Sequence, residues 1–209
     1  MPANGEQDLK EHGWETREGT PDALRTAMGL FPTGVTVVTT GRGEATEGMT
    51  ANAVISVSLD PLLLLVSVHK DARLNQRIKE EGYYAVNLLA DDQEGLSRLF
   101  ASPDRSSGLP AVNSLGGAYG RTGAPLAAGA LAAVECELAA VYPGGDHNLF
   151  LGRGVAVHIG DTRKGPLVFH EGAYPTLKTT PRLGDSGAFV DSVRGFDIRT
   201  SRLGRRRRR

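Results

Sequence analysis

The chain has a single cysteine, Cys136, among 209 residues, so no internal disulfide can form and one buried apolar core has to carry the fold. Its longest purely aliphatic run, LLLLV at 62–66, is far below the roughly 20 residues that a bilayer-spanning helix needs. The start MPANGEQDLKEHG has neither the basic opening nor the apolar stretch of a secretion signal. These absences point to the cytoplasm and away from membranes. Charge of one sign is not in excess either: 24 Lys plus Arg balance 24 Asp plus Glu, which gives no overall field for nucleic acid. The closing RRRRR has no interleaved aromatics to stack on bases; a solvated tail is expected there, with nucleic acid not expected as a partner.

Chemistry is sparse as well. No GxGxxG opens a helix and no GxxxxGK[ST] occurs, so neither of the usual phosphate-cradling loops is available. The five histidines (12, 69, 147, 158, 170) never fall at metal-ligand spacing with each other or with Cys136, and no metal is expected. LGDSGAF at 183–189 looks like a serine-protease nucleophile segment, but too little chain follows it to complete that fold, and a loop is the expected reading. His158 and His170 read as structural residues on strands; His147 directly follows the turn PGGD, where side chains reach a site edge.

What is present is a succession of short strands. Residues 1–19 are polar and aperiodic and read as a flexible leader; a single domain is expected over 20–178, with an extension at 179–209. Thr20-Pro21 starts a helix with Leu24, Ala27, Met28 and Phe31 on its apolar face. VTVVTT at 35–40 is a strand. The segment GMTAN is expected to be a turn of small residues that leads into a strand over 51–59 with Ile55, Val57 and Leu59 facing the barrel wall. Asp60-Pro61 then breaks the chain before the apolar strand 62–68. A helix at 72–82, a strand at 83–89, a helix capped by Asp91 or Asp92 with Leu96, Leu99 and Phe100 on its face, a long connection at 102–125, and strands at 130–142, 147–159 and 166–170 complete the series. Mainly antiparallel β structure closed into a split barrel with a few short helices is the predicted fold class.

In this order, FPTGVTVVTT, GMTANAVISVSLDPLLLLVSV, YYAVNLLADDQEGLSRLFAS, GALAAVECELAAVYPGGDHNLFLGRGVAV and PLVFHEGAY resemble the flavin reductase-like family, whose members are FMN-binding split barrels. The resemblance covers about residues 22–178 and implies an NAD(P)H:flavin oxidoreductase that moves a hydride from NADH or NADPH to FMN or FAD and supplies a separate flavin-dependent monooxygenase. It also implies a homodimer. Hydride transfer between two cofactors is chemistry the cofactors carry themselves, which agrees with the lack of an acid-base pair.

By resemblance, the flavin lies along Thr46, Glu47, Gly48, Met49, Thr50, Ala51, Asn52 and Ala53, with Thr50 and Asn52 offering side chains to its polar edge. The same resemblance assigns Ser67, Val68 and His69 as the next contact, Arg73 and Leu74 to the phosphate, Leu99 and Phe100 as a further contact, and His147 with Tyr174 to the nicotinamide side. Where the family often carries serine and threonine beside the phosphate, this chain reads KDARLN. Two alternatives stay open: a flavin-binding carrier without reductase activity, and a flavoprotein that retains FMN and acts on another small molecule.

Overall fold

A computed structural model describes residues 8–177. The first long element is α1 (Pro21–Gly29), where Thr20 caps the start by accepting a hydrogen bond from the Ala23 amide at 3.2 Å. After β1 (Thr33–Gly34) comes β2 (Thr36–Thr40), buried throughout despite three threonines. Each hydroxyl is satisfied: Thr36 donates to Ala51 O, Thr39 to Pro125 O and Thr40 to Tyr83 O, all at 2.6 Å. Next follow β3 (Glu47–Ala51), β4 (Val54–Leu59) and β5 (Leu62–His69). The helix α2 (Arg73–Glu81) ends on Gly82 in the left-handed region, φ 74°, as a glycine stop should. Then come β6 (Tyr83–Leu88), α3 (Glu94–Ala101), α4 (Gly108–Leu115), the short pair β7 (Ala118–Tyr119) and β8 (Pro125–Leu126), the long hairpin β9 (Ala132–Gly144) and β10 (His147–Ile159), and β11 (Val168–Phe169).

Seven strands form one antiparallel sheet in the order β3-β2-β6-β9-β10-β5-β4. Its two end strands are consecutive in the chain and joined only by Asn52–Ala53. Two residues reach less than about 10 Å, so the sheet has to curl until its ends meet at one corner. No ladder joins β3 to β4 there, and the barrel is split at that corner. Shifts in register at Leu151/Gly152 and Gly154/Ala156 help bend the long hairpin. Inside, Leu64, Val66 and Val68 from β5 meet Tyr84, Val86, Phe150 and the α2 residues Leu74 and Ile78. The mainly antiparallel β barrel expected from the sequence is the fold observed.

Several details differ from expectation. GMTAN is not a turn: Glu47–Ala51 is strand β3, paired along its length with β2, and only Asn52–Ala53 links it to β4. Ile55, Val57 and Leu59 face outward because β4 is an end strand with no layer over that face; Ile55 is 57% exposed. The helix α1 likewise buries none of its residues. The connection 102–125 contains α4, whose Ala111, Val112 and Leu115 enter the core; Pro110 sits in its first turn, where a proline is tolerated. Neither Asp91 nor Asp92 caps α3: Asp91 accepts the Gly165 amide and Asp92 pairs with Lys164. His158 is structural, as expected, bound at 2.6 Å to the buried Glu135 of β9. LGDSGAF and the arginine tail lie outside the described residues.

Candidate functional site

The exposed edge of β3 is the natural place to begin. Thr46 O accepts the Gly108 amide and Gly48 O accepts Arg105 Nε at 2.8 Å, so both residues direct their backbone groups away from β2. Alternation along an antiparallel strand turns Thr50 the same way. The segment 102–108 thus covers the first half of this edge, and the Thr50 amide lies beyond it. The Thr50 hydroxyl donates to Ser97 O of α3 at 2.7 Å, and Ser97 Oγ is 2.8 Å from the Tyr174 hydroxyl. Thr50, Ala51, Asn52, Phe169 and Tyr174 together line a cavity of about 200 Å³. Asn52 Nδ2 donates to Thr33 Oγ1 at 3.1 Å and its backbone carbonyl accepts the Val54 amide at 3.0 Å, while its side-chain Oδ1 accepts no hydrogen bond among the described residues.

A second group sits at the start of α2. That helix has no side-chain cap; in its first turn the Asn75 amide donates to Ala72 O at 2.9 Å, and Leu74 is fully buried. Arg73, the first helical residue, pairs with the nearly buried carboxylate of Glu47 at 3.3 Å and donates to Arg105 O at 2.7 Å. Burial, reinforced by the positive charge of Arg73, holds the Arg105 guanidinium below its usual pKa. Two guanidinium groups and the Glu47 carboxylate thus meet at the start of this helix.

The third group surrounds the hairpin turn between β9 and β10. Register places His147 opposite His69, and their rings meet edge to face at 5.1 Å. Ser67, on the same strand as His69, donates its amide to Ala53 O at 3.0 Å, which ties this strand end to the barrel's corner. Asp146 Oδ1 lies 2.7 Å from His147 Nδ1, and the imidazole hydrogen bond holds the Asp146 carboxyl below the usual range.

The structure thus brings Thr50, Ala51, Asn52 and Tyr174 to one cavity, Glu47 and Arg73 to one ion pair, and His69 and His147 to one turn. The other expected contacts differ in exposure. Thr46, Val68, Leu74 and Phe100 are fully buried. Gly48 is small for a reason internal to the protein: a Cβ there would sit 2.6 Å from the Phe100 ring. Met49 packs against the core, Ala53 is exposed, and Leu99 is 39% exposed beside the buried Phe100. Sequence reasoning missed Arg105, Ser97 and Asp146. Arg105 stood in a Ser- and Pro-rich connection that hid its fold, whereas Asp146 was legible as the acid immediately before His147.

Groups able to act on their own are few. Burial pushes the Cys136 thiol up to about 12, so it is no nucleophile. Among the described residues no group of three or more His, Cys, Asp or Glu is placed to hold a metal, and no helix is long and apolar enough to cross a membrane.

Comparison with known proteins shows the family. The Flavin reductase like domain family matches residues 28–178. NADH-dependent FMN reductase AsuE2 of Streptomyces nodosus subsp. asukaensis is 51% identical over 155 residues, 74% of this chain and 84% of that protein. Among solved structures, BorF, the flavin reductase component of a bacterial two-component tryptophan halogenase, superposes with a TM-score of 0.72 at 42% identity, covering 77% of this chain and all of that one. The NADH:FAD oxidoreductase SgcE6 of Streptomyces globisporus C-1027, in complex with NAD and FAD fragments, gives 0.72 at 37% identity over 81% of this chain and 99% of that one.

Proposed function

The chain belongs to the flavin reductase-like family, and from that premise we propose that it is an NADH- or NADPH-dependent flavin reductase that delivers reduced FMN or FAD to a separate monooxygenase. What carries this reading is the arrangement along one edge of the sheet. An outward Thr50 amide and the Asn52 side-chain oxygen stand at a small cavity, and an uncapped helix start bearing Arg73 stands on the same strand's other end. The residues fit a flavin: a flat polar edge for Thr50 and Asn52, and a phosphate for Arg73. When bound, the flavin supplies the ring that accepts a hydride from the nicotinamide.

The protein's own part is positional. Arg73 offsets the phosphate charge, and Arg105 fixes the β3 backbone through Gly48 O. Tyr174, held by Ser97 and standing edge-on to Phe169 at 5.4 Å, closes the cavity against water. His147 stands at the turn on the nicotinamide side. We place the functional domain at residues 20–178 and the protein in the cytoplasm.

We further propose a homodimer. A second cavity of about 610 Å³, lined by apolar residues including Phe31, Leu62, Leu88 and Val157, opens at the barrel's end. Of its lining residues Phe31 is 62% and Val157 53% exposed. An apolar surface of this kind is what a subunit interface buries.

Steady-state assays that cross NADH and NADPH with FMN, FAD and riboflavin test the main reading. Nicotinamide oxidation that depends on added flavin is expected, and oxidation of neither nicotinamide by any of the three would overturn it.

A further inference from the structure

Arg105 acts through its side chain and its backbone at once. The side chain fastens the segment 102–108 along the edge of β3, with Nε donating to Gly48 O at 2.8 Å and Nη1 to Ser102 O at 3.2 Å. The backbone carbonyl accepts Arg73 Nη2 at 2.7 Å. Both ends of the segment are anchored. It leaves α3 at Ala101, which lines the cavity of about 200 Å³ together with Thr50 and Asn52. It enters α4 at Gly108, whose amide donates to Thr46 O at 2.8 Å. The group held by this arrangement is the guanidinium of Arg73, which is planar and points its donors in fixed directions. Its Nε is 3.3 Å from the nearly buried Glu47 carboxylate and its Nη2 is on the Arg105 carbonyl, so one edge of the plane is taken at two points. A single contact would let the plane pivot, whereas two set its direction. Arg73 Nη1 makes no hydrogen bond among the described residues and is the free end of the fork.

We propose that Arg105 is a positioning residue for the flavin phosphate: by tying the segment 102–108 to β3 it holds its own carbonyl against Arg73, so that Arg73 presents Nη1 to the phosphate at a set distance from Thr50 and Asn52. The proposal rests on the reading of Arg73 as the phosphate partner. Arg105 does not meet the phosphate itself, since its Nε and Nη1 are already engaged by Gly48 O and Ser102 O. An arginine side chain loses much rotamer freedom when it grips a ligand, and bracing removes that freedom in advance. A flavin without a phosphate gains nothing from the brace. Arg105 therefore sets how strongly the protein prefers a phosphorylated flavin over riboflavin.

The test is fluorescence titration of FMN and riboflavin onto Arg105→Ala, Arg105→Lys, Arg73→Ala and the Arg73→Ala/Arg105→Ala double variant of the full chain. The quantity read is the ratio of the riboflavin Kd to the FMN Kd. Arg105→Ala is expected to lower this ratio about threefold and Arg73→Ala about tenfold. Arg105→Lys guards against a folding failure of the alanine variant; it keeps the cation and one donor but cannot hold Gly48 O and Ser102 O together, and should lower the ratio about twofold. In the double variant the ratio should match that of Arg73→Ala, because Arg105 acts only through Arg73. An unchanged ratio in the Arg105 variants, including an equal loss for both flavins, is a purely structural role and would overturn the proposal. A ratio lower in the double variant than in Arg73→Ala would put Arg105 on the phosphate itself and overturn it as well. A wild-type ratio in Arg73→Ala would instead remove the reading of Arg73 as the phosphate partner, and the proposal with it.

Discussion

Gly48 on β3 and Phe100 on α3 are in contact so close that a Cβ on Gly48 would lie 2.6 Å from Cε1 and 2.8 Å from Cδ1 of the ring. Phe100 is fully buried among Val35, Val37, Leu89 and Leu115 and has nowhere to retreat. Gly48→Ala is therefore expected to cost about 1–3 kcal/mol of stability through overpacking. Urea denaturation checks it, and Phe100→Leu should recover part of the loss in the double variant because the two sites share one space.

Arg73 gives a prediction that separates the parts of a flavin. Arg73→Ala should raise the KM for FMN about tenfold, the worth of one charge-assisted hydrogen bond, and leave riboflavin, which has no phosphate, within about twofold. Equal losses for both would place the phosphate elsewhere.

At the cavity, Asn52→Leu should weaken flavin binding by about tenfold, because a buried polar edge left without its partner loses roughly 1–3 kcal/mol. Fluorescence titration with FMN measures this, and unchanged affinity would move the ring away from the β3–β4 corner.

Glu135 predicts acid sensitivity far from that corner. Its carboxylate is fully buried, which by itself raises its pKa, yet the Thr122 and Arg121 amides, the Thr122 hydroxyl and His158 outweigh burial and bring it down to about 2. A depressed folded-state pKa means the stabilisation is complete above the unfolded value near 4.5 and is lost as pH falls from there toward 2. Its size is on the order of 3 kcal/mol. Between pH about 5 and 3, wild type should lose stability faster than Glu135→Gln, as measured by thermal unfolding across that range.

The exposed apolar end yields the last prediction. Val157→Glu should shift the protein from dimer to monomer in sedimentation, since a charge in the middle of an apolar interface costs several kcal/mol. A dimer that survives this change would place the interface on another face.

Much of this was legible in the chain because the signals are local. Pro21 behind a capping Thr20, Gly82 after a helix, and β-branched VTVVTT each announce an element through the chemistry of their own few residues. The order of strands, and with it the barrel, followed. What stayed hidden depends on partners distant in sequence. Alternation in 51–59 marks an apolar face but cannot say that β4 ends the sheet and turns Ile55 outward. GMTAN looked like a loop because it opens on glycine and small residues, and the smallness of Gly48 answers to Phe100, about fifty residues on. Ser, Gly and Pro around 102–110 masked α4 and the clamp that Arg105 places on Gly48. Within the candidate site, the residues that sit at an element's end were readable, whereas those that brace them were not.

The two-residue link Asn52–Ala53 also bears on how the protein reaches its native state. Strands at opposite ends of the sheet are neighbours in sequence, so bringing them to one corner closes almost no loop. The slow encounter lies instead mid-sheet, where Tyr83 must find Glu137, about fifty residues away. Once that central pairing forms, β3 and β4 are already tethered at the corner, and the free edge of β3 requires no search of its own.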